Sequence, residues 1–392
     1  METVRSEGSD MIQLRGITWD HVRGIAPLLA TSEEFRRLHP QVSIVWDKRS
    51  LKDFEDYPVD VLAEQYDLIM LDHPSIGASV RQGVILPLDK WMPDEFLREQ
   101  MANSVGPSYA SYTWEGHQWA LAVDAAAQVS AFRADLLERS GAALPRTWSE
   151  VFQLAAALPK ELAVAVPLHP THAFCSFFTL CANLGGNDVW ETERAFGAAE
   201  EALATLQTLS QVIHPVSLEM DPIQMLDRMA ETDEIAYVPL LFGYSNYSRE
   251  GFRKHIVAFA DIPSFHSEPS GGTIGGVGIA ISAKCRNIRT AVDYAMFVAD
   301  ANEQRGTYFS SGGQPGHRLA WTDEEVNRQS HGFFANTLRT LDLASMRPRS
   351  EGAILLQEKA GELIHSYLRS GGERKEVVRT IHQWFRELRS SV

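Results

Sequence analysis

Ile12-Gln13-Leu14-Arg15-Gly16-Ile17-Thr18 has the spacing of a short strand and runs into Trp19-Asp20-His21. A helical pattern follows from Gly24 to about Leu38 and stops at His39-Pro40, because the residue before a proline is driven out of the helical region. Val42-Ser43-Ile44-Val45-Trp46 alternates as a strand does, and a helix is expected over 51–64. Tyr66-Asp67-Leu68-Ile69-Met70-Leu71 is a compact apolar strand that closes on Asp72-His73-Pro74. Residues 12–75 therefore spell β-α-β-α-β, the order of an α/β fold with a parallel sheet and right-handed crossovers. Ligands of such sheets bind beyond the carboxyl ends of the strands, where strand order reverses. Two Asp-His pairs, Asp20-His21 and Asp72-His73, fall just past two of those ends.

The 392 residues allow two or three domains with ample core. A hydrophobic share of 44% with 22% charged residues argues against disorder. Lys and Arg number 36 against 51 Asp and Glu, a formal charge of −15, which disfavours nucleic acid and anionic lipid as partners. Cys175, Cys181 and Cys285 permit at most one disulfide and offer no metal-binding CxxC spacing. No apolar run approaches the roughly 18–20 residues of a membrane span, so a membrane-inserted protein is not expected. Met1 to Met11 is polar and carries three acids, without the basic start and apolar run of a secretory signal.

Farther along, Trp119–Asp124 and Ala127–Phe132 read as strands broken near Asp124-Ala125. Thr147 and Glu150 form a capping box that opens the next helix. Mostly helical patterns follow, with strands at 235–239, 256–259 and 277–281. The segments Gly83–Asp89, Gly116–Leu121, Leu144–Glu150, Gly272–Ala280 and Glu303–Tyr308, with Gly313-Gln314-Pro315 behind them, complete a pattern over about 300 residues. Their order resembles the large sugar-binding group of solute-binding proteins that serve ABC importers, the group that includes maltose-binding protein.

The resemblance implies a two-lobed periplasmic-binding-protein-like fold, each lobe a central sheet flanked by helices, with a hinge between. Residues 1–10 would be a flexible N-terminus. Lobe one would take 11–122 and 264–313, and lobe two 123–263 and 314–392. Hinge strands that change direction would let the lobes close on a ligand. The implied function is capture of a small polar ligand (a carbohydrate, sugar acid or polyol) for the membrane subunits of an importer, with no cofactor. The chain departs from the family in lacking a signal peptide or lipoprotein cysteine. The expectation is thus a periplasmic protein if such a segment was trimmed, and a cytoplasmic one if the N-terminus is native. The second reading is an intracellular enzyme or ligand sensor on the same fold, using the Asp-His pairs for acid–base chemistry.

A sugar or polyol needs a flat apolar face and planar polar groups, and Trp19, Asp20, His21, Asp72 and His73 supply both. The alternative is that each aspartate caps the following helix and each histidine lies on the surface. The same four polar residues also make a conceivable N/O metal set, though nothing in the spacing shows that they converge. Asp124, at the first crossover, is expected either to face the ligand or to accept hydrogen bonds in the hinge. His169-Pro170-Thr171-His172 reads as a loop with two exposed histidines, with His172 able to reach the cleft. Cys175, three residues from His172, leaves a thiol enzyme open. Tyr244, Asn246 and Tyr247 would make a stacking platform with polar tips. Gly275, Gly276 and Gly278 precede a strand, not a helix, so they are read as sites of close backbone approach and not as a dinucleotide fingerprint. Gln314, His317 and Arg318 lie in the final crossover, Arg318 being the candidate partner for an anionic ligand group.

Overall fold

The computed structural model describes residues 11–56, 58–191, 195–266 and 268–390; the expected flexible N-terminus, residues 1–10, lies outside them. Strand β1 (Ile12–Trp19) pairs in parallel with β2 (Val42–Arg49) and β3 (Leu68–Leu71), joined by the helix Val22–Leu38 and the short helices Leu51–Asp56 and Val59–Ala63. All four residues of β3 are buried, as expected of a strand covered on both faces. Its side chains alternate between two cores. Leu68 and Met70 join Leu14, Trp46, Leu121 and Val292, whereas Ile69 and Leu71 join Ile17, Ile76 and Tyr112. A small hairpin, β4 (Thr113–Trp114) and β5 (His117–Gln118), precedes the longest strand, β6 (Ala120–Phe132).

β6 serves two sheets. Its first part pairs antiparallel with β10 (Ile274–Ile281), which in turn pairs with β3; its last part pairs with β8 (Ile235–Phe242) and β9 (Ala258–Ala260). β7 (Ala163–Val164) lies parallel to β8 at the far edge. The break expected near Asp124-Ala125 is a register shift inside one continuous strand, where Val277 pairs with Asp124 and Gly278 with Ala122. The backbone bends there and changes partners without ending. Around the second half of the sheet, Phe177, Leu203, Tyr237 and Phe385 pack on one face and Met225, Val238, Phe259 and Trp321 on the other. Each lobe thus has its own two-faced core.

Three segments cross between the lobes side by side: Val123–Ala127 of β6, Ile274–Val277 of β10, and Gln314–Gly316. Pro315 bridges Asp124, and the Gly316 N–H donates to the Val123 carbonyl at 3.1 Å. The Ser264 carbonyl accepts from Trp148 N–H at the start of the Trp148–Ala157 helix. That helix opens on the expected capping box, Thr147 with Glu150.

Gly276 occupies the middle of the crossing with φ +88°, and a Cβ there would lie 2.4 Å from the Asp124 carbonyl oxygen. Both the backbone angle and the space require glycine. Gly276→Ala is expected to destabilise the protein by more than about 1 kcal/mol, read as a lowered urea midpoint; an unchanged midpoint would show that the crossing is not under this constraint.

Candidate ligand cleft

A cavity with about 570 Å³ of unfilled space, part of it open to solvent, lies where the three crossings meet the two lobes. Trp19, Arg23, Leu51, Phe54 and Asp72 line it from lobe one; Ala126 and Gly275–Val277 form its floor along the crossing strands. Lobe two supplies Thr171, His172, Cys175, Pro222, Phe242, Tyr244 and Arg347.

Trp19, the last residue of β1, is 3% exposed, and its ring packs 5.3 Å from that of Phe54. Among the described residues its indole Nε1–H meets no acceptor, which leaves a donor on a cleft-lining residue. Arg23 stands in the first turn of the Val22–Leu38 helix, against the helix dipole. Tertiary contacts account for it. Nε donates to Asp124 Oδ2 at 2.8 Å, Nη2 to Oδ1, and Nη1 to the Gly243 carbonyl at 2.9 Å. The guanidinium also sits 4.6 Å from the centre of the Tyr244 ring. Burial pushes the Asp124 carboxyl up against the pull of Arg23, while burial opposes and Asp124 secures the charge of Arg23. Gln314 completes this joint, accepting from Ser245 N–H at 2.8 Å and donating to the Ala125 and Gly243 carbonyls.

Across the cleft, Arg347 Nη2 reaches both oxygens of Asp72, at 2.9 and 2.8 Å, and Nη1 donates to Gln357 Oε1 at 2.9 Å. Asp72 also caps the short turn after β3, accepting from His73 N–H at 2.8 Å. Burial disfavours its ionised form, yet Arg347 and His73 overcome this and hold the carboxyl at about 2. The two cleft arginines are therefore each neutralised by an aspartate. Burial, with Arg347 adding to it, drops His73 to about 4, and His172 falls to about 3 mainly by burial. Both imidazoles are neutral near pH 7.

Of the residues expected from sequence, Trp19, Asp72, His172, Tyr244 and Gly276 line this cavity. Asp124 lies just beneath as a hinge acceptor, the second of its two readings. The others do not line it. Asp20 points to solvent and pairs with Lys48 at 2.7 Å. His21 caps the helix through Nδ1, accepting from Arg23 N–H, and packs edge-on behind Tyr244 at 4.8 Å. His73 is wholly buried beside Asp72, its Nδ1 3.1 Å from Oδ1. Asn246 is consumed by the Gly312 carbonyl and Tyr247 by Asp227, so the stacking platform reduces to Tyr244. Arg318 pairs with Asp342 and the Ser104 carbonyl, and His317 with Glu99, outside the cleft. The metal reading loses its geometry because Asp20 and His21 diverge; among the described residues no group of three or more His, Cys, Asp or Glu gathers. Pro170 does not prevent a helix but begins one, Pro170–Gly185, because a proline at the first helical position forfeits no hydrogen bond. This buries His172 and leaves only His169 exposed.

Arg23, Phe54, Phe242 and Arg347 are cleft residues that sequence reasoning missed. A cation in a helix's first turn was the available signal for Arg23. Arg347 carried none.

Two sheets with separate cores, three adjacent crossings and a cavity between them lined by aromatic rings and paired charges define a two-lobed, hinged binding protein. The chain belongs to the bacterial extracellular solute-binding protein family, whose model matches residues 25–305. Solved structures share the fold. The maltose-bound MalE3 of T. maritima superposes with TM-score 0.79 at 17% identity, covering 96% of this chain and all of that one. A ribitol-bound ABC transporter solute-binding protein of Agrobacterium radiobacter gives 0.76 at 18% identity, covering 97% and 99%. The GacH receptor of Streptomyces glaucescens, solved unliganded and with acarbose, gives 0.79 at 15%, covering 96% and 98%. Among the described residues no helix is long and apolar enough to cross a membrane.

The buried histidines set the acid sensitivity. His21 and His73 titrate at about 4 in the folded chain, against 6.5 for a free imidazole. The unfolded chain takes up their protons first, so stability present above about pH 6.5 is lost progressively toward pH 4. Urea unfolding at stepped pH is expected to show this decline; a flat profile between pH 6.5 and 4 would contradict the buried, neutral assignment.

Proposed function

We propose that the protein captures a neutral carbohydrate or polyol in this cleft and presents it to the membrane subunits of an ABC importer, outside the cytoplasm. The observation that carries the reading is the combination of aromatic faces, Trp19, Phe54 and Tyr244, with cleft arginines whose charges are already neutralised by Asp124 and Asp72. Apolar sugar C–H faces stack on such rings, and hydroxyls find fixed polar groups; an anionic ligand would have to displace an aspartate. The maltose, ribitol and acarbose held by proteins of this fold support the class. Ligand contact with both lobes would favour the closed form, and closure is the signal an importer reads. We take lobe one as 11–122 with 274–313 and lobe two as 123–273 with 314–392, a division supported by the β6–β10 pairing at 274–277 and by the Ser264–Trp148 hydrogen bond.

A thermal-shift and calorimetric screen with ribitol, D-mannitol, maltose and acarbose tests the reading. At least one should raise the melting temperature and bind without being consumed, and Trp19→Ala should weaken it tenfold or more, about 1.4 kcal/mol. Retained affinity in Trp19→Ala, or turnover of the ligand, would refute it.

A further inference from the structure

A second cavity, with about 580 Å³ of space, is lined by none of the three crossing segments. Its volume falls within the roughly 300–1,000 Å³ of small-molecule sites. Lobe one contributes Pro107 and the half-buried ring of Trp114 on β4. Lobe two contributes Phe178 from the Pro170–Gly185 helix, Trp190, and Phe385 from the Arg374–Ser390 helix. Trp190 and Phe385 stack on each other, their ring centres 3.9 Å apart and their planes within 6°. Residues 346–350 complete the wall and bring Arg347 and Arg349 to it.

The two arginines differ in charge balance. Arg347 is met by Asp72, as Arg23 is met by Asp124 in the hinge. Arg349 meets only neutral groups. Its Nη1 donates to the carbonyls of Ala110, Ser111 and Thr113 at 2.9, 3.0 and 2.9 Å, and the guanidinium lies 5.3 Å from the centre of the Trp114 ring. Among the described residues it forms no ion pair, although the chain carries 51 acids against 36 Lys and Arg. The nearest acids in sequence are engaged elsewhere, Glu351 by Arg81 and Asp342 by Arg318. Burial lowers the pKa of Arg349, the cost expected of a cation removed from water without a countercharge. The three carbonyls fix the guanidinium through Nη1, while Nε and Nη2 donate to no group among the described residues. Those two nitrogens form the side-on edge that binds a carboxylate through two parallel hydrogen bonds, the edge Arg23 presents to Asp124.

We propose that this cavity is a second ligand site, for a small molecule that joins a carboxylate to a flat apolar face. The carboxylate pairs with the free edge of Arg349, and the flat face lies among the rings of Trp114, Phe178 and Trp190. Two sources share that chemistry: an aromatic acid, and a hexuronic acid whose pyranose presents a C–H face. A molecule held there touches both lobes, so its binding favours the form in which they are together. The site stands independently of the sugar reading of the cleft.

Titration calorimetry on the full chain tests it with two acids and their neutral amides, benzoate against benzamide and D-glucuronate against D-glucuronamide. At least one acid should bind at least tenfold tighter than its amide, and the pair that shows the preference identifies the source. Arg349→Gln should abolish the preference, and Trp114→Ala should weaken the acid at least tenfold, with urea melts establishing that at least one of the two variants is folded. A merely structural role for Arg349 would leave the acid-to-amide ratio unmoved. No preference for either acid overturns the site, as does a preference that survives in folded Arg349→Gln or an affinity that survives in folded Trp114→Ala. Neutral sugars binding the unaltered chain without any acid preference would overturn this site and leave the cleft reading in place. An acid preference that depends on Arg349, with no neutral sugar bound, would support this site and remove the cleft reading alone.

Discussion

The Arg23–Asp124 pair is the joint on which the arrangement depends. A helix of lobe one, the crossing strand β6 and the carbonyl of Gly243 in lobe two all meet on one buried guanidinium. Neither partner has solvent to fall back on, so each is tolerated only because the other is present. Gln314 from the third crossing shares the Gly243 carbonyl, so the three segments that connect the lobes are bonded to one another as well as running side by side. Tyr244, the aromatic wall of lobe two, follows Gly243 directly and lies against the same guanidinium. Hinge and ligand wall are thus built from the same few atoms.

A second pair, Asp72–Arg347, stands across the cleft from the first. The two differ in what they join. Arg23 ties residues that stay close through any rotation about the crossings, whereas Arg347 links the end of β3 to a segment between two lobe-two helices. Together they leave a cleft whose apolar and aromatic walls carry charges that balance one another. Such a site gains little from attracting an ion and much from matching hydroxyls and ring faces, which is the basis for assigning it a neutral polyhydroxy ligand.

Much of the architecture was legible in the sequence because periodicity reports burial. The β-α-β-α-β start and the capping box at Thr147 follow from local patterns alone. The strand-end rule picked out Trp19 and Asp72, which line the cavity. It failed for Asp20, because it locates backbone and is silent about which way a side chain leaves it; one residue beyond Trp19 the chain already faces solvent and Lys48. Asn246 and Tyr247 failed for a related reason, their polar ends being taken by Gly312 and Asp227. Arg347 was invisible since its partner is 275 residues away, a distance that no spacing argument reaches.

The central claim is that one ligand is held by both lobes at once. Hydrogen–deuterium exchange with and without a saturating sugar tests it most directly. The account predicts slowed exchange together in residues 17–25 of lobe one, 171–176 and 242–247 of lobe two, and the crossing at 274–278. Protection restricted to one lobe, or appearing away from these segments, would contradict it.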